Sequence, residues 1–310
     1  MNNLKKVGLT ALGTALVSSS AFAGALDVTG TAGITYVGNS SIDNGDNKLE
    51  QKTTISFTGS AELDNGFTVS YYNNISGQAG NNFNQHFDVD MGDAGKLRFA
   101  GAGASGNGAV GAWDDVMPAA NEESHHSGTD GVNQQRREDS FIYTNSSMVD
   151  GVTVILNYKP GETTHDSTTG AGIKFTGIEG LDVGVAMEDN NTTDGAVVEN
   201  TVAYIKYAMD AFTVGFQANE TDSQTASADT EFEAWGVSYA VSEDISISYG
   251  SSTVEFESGA SKSDQEADAI GVSWTNGSMS VTASRHTIDN VAGTATDDRD
   301  ATEVNLTFAF

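Results

Sequence analysis

The residues most able to do chemistry are five histidines, His86, His125, His126, His165 and His286, set among many serines and 43 carboxylates, with no cysteine at all. A hydrolase needs a base within hydrogen-bond reach of a nucleophile and a third group to orient the base. No GxSxG stretch occurs, and serines are too common for a Ser–His pairing to carry meaning, so no residue is assigned a catalytic role. The absence of cysteine removes thiolate chemistry and disulfide frameworks. "EESHH", with Glu122, Glu123, His125 and His126, groups two carboxylates and two imidazoles. Adjacent histidines lack the spacing of a structured transition-metal site, which favours a solvated loop. "TDDRD", with Asp297, Asp298 and Asp300, and "SIDNGDN" at 41–47 offer hard oxygen donors suited to calcium between loops. Neither completes a twelve-residue calcium loop. The expectation is no catalytic cofactor, with structural calcium at Asp297, Asp298 and Asp300 as the candidate metal site.

If these residues are not catalytic, their meaning depends on where the chain puts them. The 310 residues carry 14 Lys and Arg against 43 Asp and Glu, a formal charge of −29. So acidic a surface argues against a nucleic-acid partner, because counterion release needs clustered bases. Residues 1–23 read "MNNLKKVGLTALGTALVSSSAFA", in the basic, apolar, small-residue order of a cleaved secretory signal. Removing its two lysines leaves −29 − 2 = −31 on residues 24–310, with 14 − 2 = 12 basic residues. Two prolines and 35 glycines suit an all-β chain with tight turns. No segment reads as a membrane-spanning helix, and 38% hydrophobic residues would suggest a water-soluble protein. Membrane β-barrels escape that inference, since they hide their apolar residues in alternation.

Alternation is what the chain shows almost everywhere. "LDVTGTAGITY" sets Leu26, Val28, Ala32, Ile34 and Tyr36 against Asp27, Thr29, Thr31 and Thr35. "KTTISFTGSAEL", "LDVGVAME", "FTVGFQAN", "DISISYG" and "MSVTASR" repeat the two-residue period of a strand with one wet face. Sixteen strands are predicted, at 26–36, 51–63, 67–74, 84–91, 96–100, 139–145, 152–159, 171–176, 181–188, 201–207, 212–219, 231–240, 245–254, 266–274, 279–286 and 301–310. Short turns such as "DNG" at 64–66, "GDAG" at 92–95 and "TNGS" at 275–278 alternate with longer polar connections. That segregation predicts a single antiparallel up-and-down transmembrane barrel over 24–310, not a Greek-key sandwich. The last stretch, "EVNLTFAF", fits as the closing strand, with Val304, Leu306, Phe308 and Phe310 toward lipid.

The stretches "LRFAGAGASGNGAVGAWDDVMPA", "RREDSFIYTNSSMVDGVTVILNYKP" and "EVNLTFAF", in that order, resemble the trimeric general porins of Gram-negative outer membranes, most of all their alphaproteobacterial branch. The resemblance covers the whole chain. It implies a homotrimer in the outer membrane, in contact with lipid and lipopolysaccharide, with Phe310 as a signal to the outer-membrane assembly machinery. It also implies that the third long connection, 101–138, folds into the lumen and narrows it, with acids on the loop facing bases on the opposite wall. The loop acids would be Asp114, Asp115, Glu122 and Glu123.

By alternation Lys52, Lys96, Arg98, Arg136, Lys159, Lys174 and Lys206 take the lumen side, and Lys52, Lys96, Arg98, Arg136, Arg137 and Lys174 are the candidates for the basic wall. Direction alone is weak evidence, since the lipid face penalises any midplane cation by about 2–4 kcal/mol. Arg137 has lipid parity but adjoins a strand end. Tyr36, Tyr72, Tyr158, Tyr207, Tyr239 and Tyr249 are expected in the interfacial belts. The implied function is passive diffusion of small hydrophilic solutes and ions, with modest cation preference from the overall acidity. Two alternatives stay open: a substrate-selective porin with a dedicated lumen site, and a non-conducting structural or adhesive barrel.

Overall fold

The computed structural model describes residues 26–39, 48–76, 84–102, 108–118, 138–161, 166–189, 198–223, 229–257 and 262–310. The expected signal at 1–23 lies outside them. Sixteen strands follow one another: β1 (Asp27–Asn39), β2 (Lys48–Glu62), β3 (Thr68–Ser76), β4 (Gln85–Asp90), β5 (Lys96–Ala102), β6 (Ser140–Val149), β7 (Val152–Lys159) and β8 (Thr168–Phe175). The second half comprises β9 (Leu181–Asp189), β10 (Val198–Met209), β11 (Phe212–Ser223), β12 (Thr230–Ala240), β13 (Ile245–Phe256), β14 (Gln265–Asn276), β15 (Met279–Asp289) and β16 (Arg299–Ala309). Each strand pairs antiparallel with its sequence neighbours, and β1 pairs with β16 to close the ring. Every predicted strand is present. Several run further toward the long connections than the pattern indicated: β10 starts at Val198, β2 at Lys48, and β13 continues to Phe256. In β10 and β13 the added outward positions are polar, Glu199 and Glu255, so there the hydrogen-bonded ladder outlasts the apolar alternation that announced it.

The side chains sort into two faces by the strand period of two. Outward positions carry Ile34, Phe87, Phe99, Leu156, Val185, Ile205, Phe216, Trp235, Ile247 and Leu306, all large, apolar and exposed. The alternate positions carry threonine, serine, asparagine, glycine and most of the charges. A sheet with its apolar face outside is stable only where the outer solvent is hydrocarbon. Tight turns of the 64–66 and 277–278 type gather at one end of the barrel, the periplasmic end by the general rule for such barrels. At one of them Gly180 holds φ +77°, and a Cβ there would collide with the Ala208 carbonyl. The neighbouring backbone can come so close only because glycine has none.

The closing seam is a full ladder. Ala32 faces Phe308, Ile34 faces Leu306 and Tyr36 faces Val304. Beyond the last register pair, Phe310 N–H donates to the Gly30 carbonyl at 2.9 Å and Gly30 N–H donates back at 2.7 Å. The C-terminal strand therefore has no free edge. Tyr36, Tyr158, Tyr207 and Tyr249 point outward as expected and are exposed. Tyr72 does not. It shares the inward register of Asn74 and His86, its ring stacks on His86 at 4.9 Å, and its hydroxyl lies 3.0 Å from Ser56 Oγ.

The two-face arrangement predicts opposite outcomes for neighbours on one strand. On β13, Ile247 faces out and Ser248 faces in. Ile247→Arg should destabilise the barrel by about 2–4 kcal/mol and Ser248→Arg by less than about 1 kcal/mol, read from urea unfolding of protein refolded into lipid vesicles.

Candidate functional site

The one extended apolar core of the described residues lies inside the barrel. Ala109, Val110, Trp113 and Met117, from the connection between β5 and β6, pack on inward residues of β9, β10, β12 and β13: Ala186, Val202, Tyr204, Phe232, Ala234 and Val254. Close approach is possible because the facing wall carries inward glycines. A Cβ at Gly172 would overlap the Trp113 ring, one at Gly215 would lie 2.7 Å from Met117 Sδ, and one at Gly236 would overlap Pro118. Trp113 meets Tyr204 edge-on at 6.2 Å, an arrangement favoured by the ring quadrupoles.

Amide side chains of the wall hold the segment's backbone. Ala109 N–H donates to Asn157 Oδ1 at 2.7 Å, and Asn157 Nδ2 in turn donates to Glu188 at 3.3 Å. Val116 N–H donates to Gln217 Oε1 at 3.0 Å. The Asp114 carbonyl accepts from Asn219 Nδ2 at 3.2 Å and from Gln217 Nε2. Gln217 thus reads two backbone groups at once, from a fully buried position, where leaving either unpaired would cost about 1–3 kcal/mol.

A second polar cluster lies on β3–β5. Asp88 accepts both ends of the Arg98 guanidinium, Nε at 2.8 Å and Nη2 at 2.9 Å, the bidentate fork that suits a carboxylate. Lys96 Nζ stands 3.7 Å and His86 Nε2 3.8 Å from the same carboxylate. Two permanent cations around one acid leave a net positive patch, with Arg98 fixed in place and Lys96 the more exposed.

The predicted site residues are only partly brought together. Lys52, Lys96 and Arg98 face the lumen on β2 and β5. Lys52 on β2 stands eight places (10 − 2) from β10 in the ring of sixteen, across the bore from the packed segment. Lys174 does not oppose the loop. It is the next inward residue after Gly172 on β8, beneath the Trp113 contact and on the same wall. Lys159 is inward but buried, donating to the Glu138 carbonyl. Asp114 is buried against the wall and Asp115 is exposed. Glu122, Glu123, His125, His126, His165, Arg136 and Arg137 lie outside the described residues. Asp297, Asp298 and Asp300 do not converge on a metal. Asp297 is taken by Arg299 at 2.8 and 3.2 Å, Asp298 accepts Asn290 N–H at 3.1 Å, and Asp300 points outward to Thr287 at 2.9 Å. Among the described residues no three His, Asp or Glu side chains form a metal-holding group.

Sequence reasoning missed Asp88, Asn157, Gln217, Asn219 and the glycine seats. Their signal was parity: each falls on the inward phase of its strand. Apolar Val202, Phe232 and Val254 on that same phase were the sign that part of the lumen is dry. As for catalysis, Ser284 Oγ lies 2.8 Å from His286 Nε2. Ser284 sits mid-ladder between Gly271 and Glu303, where backbone N–H groups are committed to neighbouring strands and none is left to hold an oxyanion.

Comparison with known proteins gives a consistent picture. A family model described as Gram-negative porin matches residues 8–310. No curated relative matches by sequence. Among solved structures, Salmonella typhi OmpF in complex with daunomycin superposes with TM-score 0.72 at 14% identity, covering 92% of this chain and 97% of that one. OmpT, an outer membrane protein of Vibrio cholerae, gives 0.68 at 14% identity over 92% and 97%. A Rhodopseudomonas blastica porin triple mutant gives 0.65 at 14% identity over 92% and 100%. At such identities these likenesses establish the fold alone.

The seat of the inner segment can be tested cleanly because the chain has no native cysteine. Val110→Cys, fully buried in the native packing, should resist a water-soluble maleimide. Adding Gln217→Leu with Gly215→Leu should speed its labelling by about tenfold or more, as expected from losing roughly 1–3 kcal/mol of buried hydrogen bonding.

Proposed function

Since this chain belongs to the Gram-negative porin family, and with its closed sixteen-stranded barrel sits in the outer membrane, we propose that it is a water-filled channel for passive diffusion of small hydrophilic solutes and ions. The carrying observation is the division of the bore. The inner faces of β8–β13 are lined in part by the dry cluster around Trp113, whereas those of β14–β16 and β1–β5 present Ser273, Thr282, Thr307, Thr31, Thr54 and Ser56 with the charged group at Asp88. Hydroxyls on a wide bore exchange freely with water, so the free path runs along that wall. Nothing in this mechanism needs a catalytic residue, and the reading is of a channel, not an enzyme.

Selection follows from the field across the narrowest part. Residues 101–138 act as the constriction loop, with Asp115 and, by family resemblance, Glu122 and Glu123 as its acids. Lys52, Lys96 and Arg98 supply the positive side. The charge of −31 on residues 24–310 (−29 − 2) draws cations to the mouths, and a modest cation preference results. Residues 1–23 serve as the cleaved signal, and Phe310 as the assembly signal.

The protein acts as a homotrimer. Support comes from an outward polar group on the shortest strands. Tyr71 donates to Gln85 at 3.0 Å and Asn73 donates to Tyr71 at 3.3 Å, beside the six-residue β4 and seven-residue β5. Amides facing hydrocarbon are costly, and a neighbouring subunit would satisfy them.

Two measurements test this reading. Single-channel recording in a salt gradient should give discrete steps and a cation-selective reversal potential. Lys52→Glu with Lys96→Glu should raise the cation-to-anion permeability ratio by about two- to fivefold per charge, the weight of roughly 0.5–1 kcal/mol for a water-screened charge at close range. Anion selectivity of the native protein would overturn the charge assignment. Saturable block by one solute class would favour a selective porin, and absence of steps a non-conducting barrel. Separately, Asn73→Arg with Gln85→Arg should convert the trimer to monomers in mass photometry of the detergent-solubilised protein.

A further inference from the structure

The connection between β15 and β16, residues 290–298, follows a backbone path that its sequence does not favour. Asn290, Ala292, Gly293 and Thr296 all have positive φ, between 52° and 77°. Glycine adopts that region freely and asparagine tolerates it, but an alanine and a β-branched threonine do not. Such a path persists only where the surroundings impose it. Hydrogen bonds within the connection do part of this. Asn290 Oδ1 accepts Thr296 N–H at 3.3 Å, Asp298 Oδ1 accepts Asn290 N–H at 3.1 Å, and Val291 N–H donates to the Asp297 carbonyl at 2.9 Å. The end of the β13–β14 connection and the start of β14 hold it from the side. Ser263 N–H donates to the Gly293 carbonyl at 3.1 Å, Asn290 Nδ2 to the Asp264 carbonyl at 3.0 Å, and Ala292 N–H to Gln265 Oε1 at 3.0 Å.

The connection is directed inward. Val291 is buried with Ala267 and Ile288, which are register partners on the lumen phase of β14 and β15. At Gly293 a Cβ would come within 3.0 Å of the Phe256 ring and 2.8 Å of the Lys262 chain. The Lys262 ammonium stands 4.4 Å from the centre of that ring. Phe256 in turn packs on the cluster that seats Trp113 and Met117. The last connection therefore lies within the outline of the barrel at its extracellular end, with Ala292, Thr294, Ala295 and Thr296 exposed on its surface.

We propose that residues 290–298 form a fixed rim that narrows the extracellular mouth and screens solutes by size before they reach the constriction loop. The rim rests on the channel reading above and adds to it a second, separate restriction. A rim sets a size limit only if it does not yield when a solute presses on it. The buried Val291 and the hydrogen bonds to Ser263, Asp264 and Gln265 supply that resistance. Asp297 and Arg299 neutralise each other in a two-point fork, so the rim acts through width more than through charge.

Bilayer recording of single-cysteine variants tests the rim, since the chain has no native cysteine. A bulky maleimide-polyethylene glycol added to Ala295→Cys should lower single-channel conductance by about a third or more, as added bulk in a narrow path requires. The same label on Thr287→Cys, which faces outward on β15, should leave conductance unchanged. Replacing residues 291–296 by two glycines should raise conductance by about 1.5-fold. In liposome swelling that shortened protein should admit raffinose faster relative to arabinose than the native protein does. Labelling is verified by mass, and folding by heat-dependent gel mobility. Unchanged conductance of labelled Ala295→Cys, or equal raffinose-to-arabinose ratios for native and shortened proteins, would overturn the rim while discrete conductance steps left the channel reading intact. Absence of steps in the native protein would remove the channel reading and the rim with it.

Discussion

Within a bilayer a backbone amide has no water to turn to, and each unpaired N–H or C=O costs several kcal/mol. For a sheet this means that no edge can be left open, so the first and last strands must meet. The ladder between β1 and β16, completed by the reciprocal Gly30–Phe310 hydrogen bonds, meets that requirement, and much else depends on it. Closure of an up-and-down sheet calls for an even number of strands and brings β1 and β16 together as neighbours. It leaves each side chain only two directions, lipid or lumen. The aromatic C-terminal strand, which would be a sticky edge in water, becomes an ordinary lipid-facing stave.

The interior is not uniform. A barrel of sixteen strands is too wide for its own wall residues to fill, and the chain fills one side by laying residues 108–118 against strands of the β7–β13 wall. The segment is held by three complementary devices: glycine seats for Trp113, Met117 and Pro118, apolar contacts from Val202, Phe232 and Val254, and amide side chains that satisfy its backbone. Each device solves a different problem, namely space, desolvation and hydrogen bonding. Together they make that side of the bore a conventional protein core.

Charge placement follows the same logic of solvent. A strand cation is cheap in the lumen and costly on the lipid face, which accounts for the inward phase of Lys52, Lys96, Arg98, Lys174 and Lys206 without any appeal to function. What carries information is the departure from that rule and the detail within it. Arg98 is clamped by Asp88 and cannot swing into the path, while Lys96 beside it stays more exposed. Among the described strand residues Arg285 alone departs from the rule, outward on β15 at the edge of its apolar series.

Strand number, antiparallel order, barrel closure and the direction of nearly every strand side chain were legible in the sequence, because a period of two is a local property that survives any tertiary arrangement. The exceptions were local conflicts. Tyr72 looked like a belt residue by type but has inward phase, and register with His86 placed it in the lumen. Convergence was not legible. That Lys174 lies beneath the inner segment instead of opposite it, that Asp88 captures Arg98, and that Asp297, Asp298 and Asp300 go to three different partners all depend on which strands stand side by side or across the ring. The sequence by itself determined two faces and the solvent each must meet. Only the closed barrel decided which residues meet across the lumen, since those distances are set by ring geometry and by where the inner segment finds room.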